Sequence, residues 1–223
     1  MGPPINNFKV EQYSDKFIRT LYSKDFHNYH IKHFRKKNIN MGKTILDLYN
    51  FDSVVDFGCS IGSFLEPFLE KNKIIKGYEY CYTESLEGIR KIDGLENFIE
   101  FGDVTKDIKV DRKYDCVVTI EVAEHIPTEF SEQLVINLVN ASKNFILFTA
   151  ALPGQGGTGH INCQPKEFWI KIFEKYDYKR DINEEQKVRN YCKPSNKSDG
   201  TEEDFPYVWQ HVYNNLMIFT KKV

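Results

Sequence analysis

The chain has 223 residues, of which 41% are hydrophobic and 14% aromatic, and its formal charge is −2. That much apolar side chain excludes a disordered chain and can fill one sizeable core, while the near-neutral balance provides no overall positive field for nucleic acid. No apolar run approaches the roughly 18 residues of a membrane span, the start MGPPINNFKVEQ lacks the apolar stretch of a signal peptide, and five cysteines without a Cys-x-x-Cys pair suit a reducing compartment, so the expectation is a cytoplasmic protein with no membrane partner.

Residues 1–50 read as a helical cap on a single domain whose α/β core spans 51–223. Tyr13, Phe17, Leu21 and Tyr22 follow helical spacing, and Phe26, Tyr29 and Phe34 precede a further set at Ile45, Leu46 and Leu48. These aromatics are expected to pack the cap onto the sheet edge, with a lid over substrate as the alternative. His27, His30 and His33 do not share one helix face, which argues against a metal site there. The adjacent Arg35, Lys36 and Lys37 read as a solvated helix end.

From residue 53 the pattern alternates. Strands are predicted at 53–57, 74–79, 97–101, 114–120 and 144–149, with helices near 62–71, 83–91 and 129–142. A helix follows at 165–175, opened by Pro165. Residues 183–206 read as a helix and then a surface loop, and the tail HVYNNLMIFTKK as a strand paired with the segment around Tyr178–Ile182. Trp169 and Trp209 are assigned to packing. Such alternation predicts a doubly wound, mostly parallel sheet with helices on both faces.

In such sheets ligands sit beyond the carboxyl ends of the strands, and polar residues collect there. The run VVDFGCSIGSFL, Val54 to Leu65, is a strand, a turn with Gly58 and Gly62, and the start of a helical pattern. Its glycines let the backbone pass close to a ligand. Asp56 ends the first strand, Glu79 the second and Glu121 the fourth; Asp103 follows the third, and the loop PGQGGTGH follows the fifth. The dinucleotide fingerprint G-x-G-x-x-G fails at Ser60, and the loop lacks the Gly-Lys-Ser/Thr ending of a phosphate-binding loop. Gln155, Asn162 and Gln164 in and after that loop suit a hydroxyl-rich ligand.

With DFGCSIG at 56–62, Tyr78-Glu79, Gly102-Asp103 and YDCVVTIEVAEHI at 114–126, the chain resembles the class I S-adenosylmethionine-dependent methyltransferases over roughly residues 40–220. The resemblance implies their seven-stranded Rossmann-like sheet and a cofactor site. In it Gly58 and Gly62 approach the methionyl part, Glu79 accepts from both ribose hydroxyls and Asp103 lies beside the adenine. Asp56, Cys59, Tyr80, Val104 and Glu121 complete the implied cofactor set. Ser60 departs from the glycine common in the family, and a small residue still fits.

Alkylating a hydroxyl with a sulfonium requires alignment and loss of a proton. Glu121, Glu124 and His125, at i, i+3 and i+4, would share one side of a helical turn, and His160 arrives from the loop after the fifth strand. This E-x-x-E-H set with a distant His also resembles the metal site of two O-methyltransferase groups, one acting on the 2′-hydroxyl at small-RNA 3′ ends and one on catechol-like rings. It implies Glu121, Glu124, His125 and His160 as ligands of Mg²⁺ or Mn²⁺. Without a metal, His125 or His160 is the candidate base, with Glu121 as the third catalytic residue. The acceptor expected first is a sugar or nucleotide-sugar in glycan biosynthesis. RNA and a catechol are the alternatives, a non-catalytic cofactor-binding subunit is a third class, and a homodimer stays open.

Overall fold

The computed structural model describes residues 14–195 and 207–222. Three helices come first, α1 (Asp15–Leu21), α2 (Lys24–His33) and α3 (Arg35–Tyr49). Tyr13, which opened the predicted aromatic series, lies outside the described residues. Ser14 caps α1 through its side chain, whose oxygen accepts from the Phe17 N–H. None of the residues of α1 is buried, whereas α3 sinks Met41, Ile45 and Leu46 into the core.

The core follows as β1 (Ser53–Phe57), α4 (Glu66–Glu70), β2 (Ile74–Glu79), α5 (Tyr82–Ile89), β3 (Ile99–Phe101), β4 (Tyr114–Ile120), α6 (Ser131–Ala141), β5 (Ser142–Thr149), α7 (Lys166–Glu174), β6 (Tyr178–Arg180), α8 (Ile182–Tyr191), β7 (Lys193–Ser195), β8 (Tyr207–Trp209), α9 (Gln210–Asn215) and β9 (Met217–Lys221). The main sheet has seven strands in the order β3-β2-β1-β4-β5-β9-β6. The pairs β1–β2, β1–β4, β2–β3 and β4–β5 are parallel, and β9 runs antiparallel between β5 and β6. This is the doubly wound, mostly parallel seven-stranded sheet with an N-terminal helical cap that the sequence predicts. The order reverses between β1 and β4, so their carboxyl ends open the crevice of the fold. No described helix is long and apolar enough to cross a membrane.

Four segments depart from expectation. The predicted helix at 62–71 is confined to Glu66–Glu70, because 58–65 is spent on the tight turn and Pro67 suits only the first helical turn. The strand at 97–101 loses its start to a 3₁₀ turn, Leu95–Phe98, which follows Gly94 in the left-handed region. The tail reads as one strand in the sequence but forms α9 before β9: Val212 and Asn215 must both turn inward, and helical spacing achieves that where strand alternation would not. After α8, the predicted loop begins instead with β7, which pairs in parallel with β8; residues 196–206 lie outside the described residues.

Two apolar layers flank the sheet. One holds Ile45, Phe64, Phe68, Ile89 and Leu147; the other holds Phe57, Leu134, Phe148, Trp169, Phe173 and Phe219. Trp169 is fully buried, as its assignment to packing required.

Candidate active site

One cavity of about 730 Å³ opens at the carboxyl ends of the strands, within the size range of small-molecule sites. Its floor is the turn after β1. Gly58 there has φ +81°, and a Cβ would collide with the side chain of Val122, so only glycine lets β1 turn this close to the segment after β4. Ser60 also adopts a left-handed φ of +52°. Its backbone N–H donates to Glu79 Oε2 at 2.7 Å, and the Cys81 N–H donates to Oε1 at 2.9 Å. Each oxygen of Glu79 thus keeps one lone-pair site, which suits a pair of hydroxyl donors. Burial raises the Glu79 pKa, and backbone N–H groups, that of Cys81 first and that of Ser60 next, pull it back down.

Asp56 is 4% exposed, and its Oδ1 has no hydrogen-bond partner. Burial first, and the charge of Glu79 second, push its pKa up to about 8. A carboxyl in that position is unsatisfied until a cation or donor reaches it. Asp103 Oδ1 accepts from the backbone and the hydroxyl of Thr105 at 2.9 and 2.6 Å. Gly58, Tyr80 and Val104 line the same cavity, whereas Gly62 does not: its φ of +75° seats the turn against Leu95 and Ile99. Cys59 lines it as well, with a buried thiol whose pKa is raised well above the usual value, chiefly by burial.

The other half of the cavity is built by the segment after β4 and the glycine-rich loop after β5. Glu121, Glu124 and His125 do not lie on one regular helical turn. Glu121 takes a left-handed φ of +52°, and a 3₁₀ turn, Ala123–His125, follows. This conformation brings one ligand atom from each of Glu124, His125 and His160 within 4.8 Å of the others. His160 Nε2 is 3.9 Å from Glu124 Oε1. Its Nδ1 faces the Gln155 carbonyl at 3.1 Å, and His125 Nδ1 faces the Gly159 carbonyl at 3.3 Å. Protons assigned to both Nδ1 atoms serve these carbonyls and leave each Nε2 as a lone-pair donor, which is how metal-binding histidines are commonly oriented. Gly157 permits this, since a Cβ there would run into the His160 ring.

Glu124 is fully buried, and neither of its oxygens has a hydrogen-bond partner. Burial, then the neighbouring Glu121, raises its pKa well above the usual value. Glu121 lies outside the three-residue group. Its carboxylate accepts from Asn215 Nδ2 at 3.0 and 3.2 Å and from Gln155 Nε2 at 3.4 Å. Asn162 is likewise occupied. It is 1% exposed, donates to the Ala123 carbonyl and Ser131, and accepts from Thr128 and Gln164, so it staples the loop to the 3₁₀ turn and does not face a ligand.

Several lining residues were not anticipated. The cap does more than pack on the sheet edge: Tyr22, Phe26, His27, Tyr29 and Phe34 line the cavity. Tyr22 Oη lies 2.7 Å from His125 Nδ1. His27, 3% exposed, reaches Ser60 Oγ through Nδ1 at 3.1 Å, its Nε2 has no partner, and burial lowers its pKa to about 4. Lys37 is no solvated helix end; it is buried with its ammonium 4.1 Å from the Trp209 ring centre. Trp209 itself lines the cavity, between Phe34 and His211. His211 is held neutral by burial, with Glu121 favouring its charged form and His160 and Lys37 opposing it. A lone histidine in the tail carried no signal that would have singled it out.

No protein-family model and no curated protein matches this sequence. Solved structures match its fold. Magnesium protoporphyrin IX methyltransferase from Synechocystis, with bound S-adenosylhomocysteine, superposes with a TM-score of 0.60 at 14% identity, covering 94% of this chain and 100% of that one. A sugar N-methyltransferase from Streptoalloteichus gives 0.60 at 11%, covering 100% and 98%. The methyltransferase domain of the bacterial protein CtHen1-CN gives 0.55 at 16%, covering 84% and 98%. At these identities the likeness is one of fold, and the chain has the Rossmann-like methyltransferase fold.

Proposed function

We propose that this protein is an S-adenosylmethionine-dependent O-methyltransferase acting on a small polyhydroxylated acceptor, a sugar or nucleotide-sugar of glycan assembly. The observation that carries the reading is a single cavity joining the acids Asp56, Glu79 and Asp103 to the cluster of Glu124, His125 and His160. Two buried polar atoms without partners, Asp56 Oδ1 and His27 Nε2, line the cofactor half. They are the groups that the ammonium and carboxylate of a methionyl moiety would complement. The spare acceptor sites of Glu79 suit ribose hydroxyls, and Asp103 with Val104 would flank the adenine. When bound, the cofactor supplies a methyl group already activated on a sulfonium.

Glu124, His125 and His160 would hold a divalent cation, Mg²⁺ or Mn²⁺, whose Lewis acidity would lower the pKa of acceptor hydroxyls. This donor set of one carboxylate and two imidazoles, with a buried carboxylate that has no hydrogen-bond partner, suits such an ion. Removing the hydroxyl proton then falls to His211, a neutral imidazole in the same cavity, with Glu121 favouring its protonated form. Gln155 and Thr158 offer neutral hydrogen bonds to further hydroxyls. The near-neutral chain gives less support to the RNA alternative.

The test is S-adenosylhomocysteine release by the pure protein over free sugars, glycosides, nucleotide-sugars, catechols and RNA ends, with EDTA or with added Mg²⁺ or Mn²⁺. Sugar turnover abolished by EDTA and by His160→Ala supports the reading. Sugar turnover indifferent to EDTA retires the metal and leaves a histidine of the cavity, His125, His160 or His211, as the base. Turnover confined to RNA or catechols overturns the sugar assignment.

A further inference from the structure

Two of the three donors in the Glu124–His125–His160 cluster are held by the chain around them. The backbone N–H groups of Ile161 and Asn162 both donate to the Glu124 carbonyl, at 2.8 and 3.0 Å, and the Asn162 side chain donates to the Ala123 carbonyl and to Ser131. The loop after β5 and the 3₁₀ turn are thus stapled into one unit. Within it, His160 is oriented by the Gln155 carbonyl five positions away. The His125 ring draws a longer contact from that unit, the Gly159 carbonyl at 3.3 Å, and a shorter one from the cap, Tyr22 Oη at 2.7 Å and 103 positions away.

A carbonyl can only accept, so the Gly159 contact assigns the proton to His125 Nδ1, and Tyr22 Oη then accepts from the same N–H at the shorter distance. The opposite arrangement, with Tyr22 donating to a bare Nδ1, would set the Gly159 oxygen against a lone pair. The rings are fixed as well: Tyr22 stands edge-on to His125 with centroids 5.5 Å apart, and His160 stands edge-on to it at 4.8 Å. Gly159 permits this approach, because a Cβ there would lie 2.6 Å from Tyr22 Oη. Tyr22 is itself held in place. It closes α1, its N–H donating to the Ile18 carbonyl, and Phe26 packs edge-on to both Tyr22 and His27. His27 is in turn anchored on Ser60, and the pairs Arg19–Glu84 and Lys24–Glu87 tie α1 and α2 to α5.

We infer that Tyr22 is a positioning residue of the cation cluster: its hydroxyl fixes the Nδ1–H tautomer and the ring orientation of His125, which leaves Nε2 as the donor, and the N-terminal cap is thereby part of the cation site. The inference rests on the metal part of the reading above. It makes cation affinity a joint property of the cap and the core, since the groups that orient a ligating imidazole are worth roughly 10- to 100-fold in metal affinity.

The experiment uses Tyr22→Phe, which removes the hydroxyl and keeps the ring. In metal-free protein, at a pH where the ring is neutral, nitrogen NMR should find His125 protonated on Nδ1 in wild type and as a mixture of tautomers in the variant. Mn²⁺ titration followed by electron paramagnetic resonance should show Kd raised by roughly 10- to 100-fold, and saturating Mn²⁺ should restore methyl transfer. Phe26→Leu loosens the packing of the cap without touching the hydroxyl, and should leave the His125 tautomer as in wild type. An Nε2-protonated His125 in wild type, an unchanged Kd, or turnover that saturating Mn²⁺ does not restore overturns the inference and leaves the metal reading intact. A tautomer shift in Phe26→Leu equal to that in Tyr22→Phe assigns the effect to packing and overturns it too. A wild-type protein that binds no Mn²⁺ overturns both.

Discussion

Replacing Glu124 by methionine separates a residue kept for chemistry from one kept for stability. The wild-type carboxyl is fully buried and its oxygens have no hydrogen-bond partner. An unsatisfied buried polar group costs about 1–3 kcal/mol, and methionine fills a similar length with apolar atoms. The variant should therefore be more stable than wild type by about 1–3 kcal/mol in EDTA, which raises Tm by roughly 2–4 °C per kcal/mol in a domain of this size. The pH dependence has a definite sign. The carboxyl pKa is raised well above its usual 4.5 in the folded state, so its favourable contribution is complete below 4.5 and is lost as pH rises. The advantage of Glu124→Met should accordingly widen from pH 4 to pH 8. Mn²⁺ reverses the ranking: at a hundredfold excess over Kd it adds about 2.7 kcal/mol to wild type and should add little to the variant. Methyl transfer should fall by on the order of 100-fold or more, since even ligand-supporting residues are worth 10–100-fold. Thermal unfolding across pH, with EDTA and with Mn²⁺, supplies these numbers. A variant less stable than wild type in EDTA at pH 8, or one that keeps its turnover, would refute the reasoning.

Three other expectations follow from the cofactor half. Glu79→Gln keeps the size but leaves one neutral acceptor and turns the other oxygen into an N–H donor facing a backbone N–H, so S-adenosylmethionine affinity by calorimetry should fall about 10- to 100-fold with the secondary structure retained by circular dichroism. Gly58→Ala forces an alanine to φ +81° and against Val122, so it should cost about 1–3 kcal/mol of stability, read by urea unfolding. His27 has its pKa depressed from 6.5 to about 4, so its contribution to stability is present above 6.5 and is lost as pH falls through 4. The depression corresponds to about 3 kcal/mol, and His27→Gln should flatten that part of the stability profile; an unchanged profile would mean that His27 is not responsible for it.

The two halves of the cavity differ in how they are written into the chain. Asp56, Glu79 and Asp103 are legible because each sits at or just past the end of a strand whose apolar residues mark it. A parallel sheet then carries all three ends to one edge without further information. The glycine turn is equally local, since Gly58 and its neighbours act on the backbone they belong to. The acceptor half depends on pairs that lie far apart. Glu121 and Asn215 are separated by 94 positions, and their hydrogen bonds fix α9, which carries His211 into the cavity. The stretch HVYNNL reads as part of a strand in the sequence, and only the inward demands of Val212 and Asn215 make it a helix. His27 shows the same limit in the cap. Three histidines at i, i+3 and i+6 say nothing about metal, and what distinguishes His27 is Ser60, 33 positions away. Chemistry carried by strand ends is thus readable one element at a time. Chemistry assembled between the cap, the loop after β5 and the tail becomes readable only once the sheet has brought them together, and in the function proposed above that is the half that would choose the acceptor.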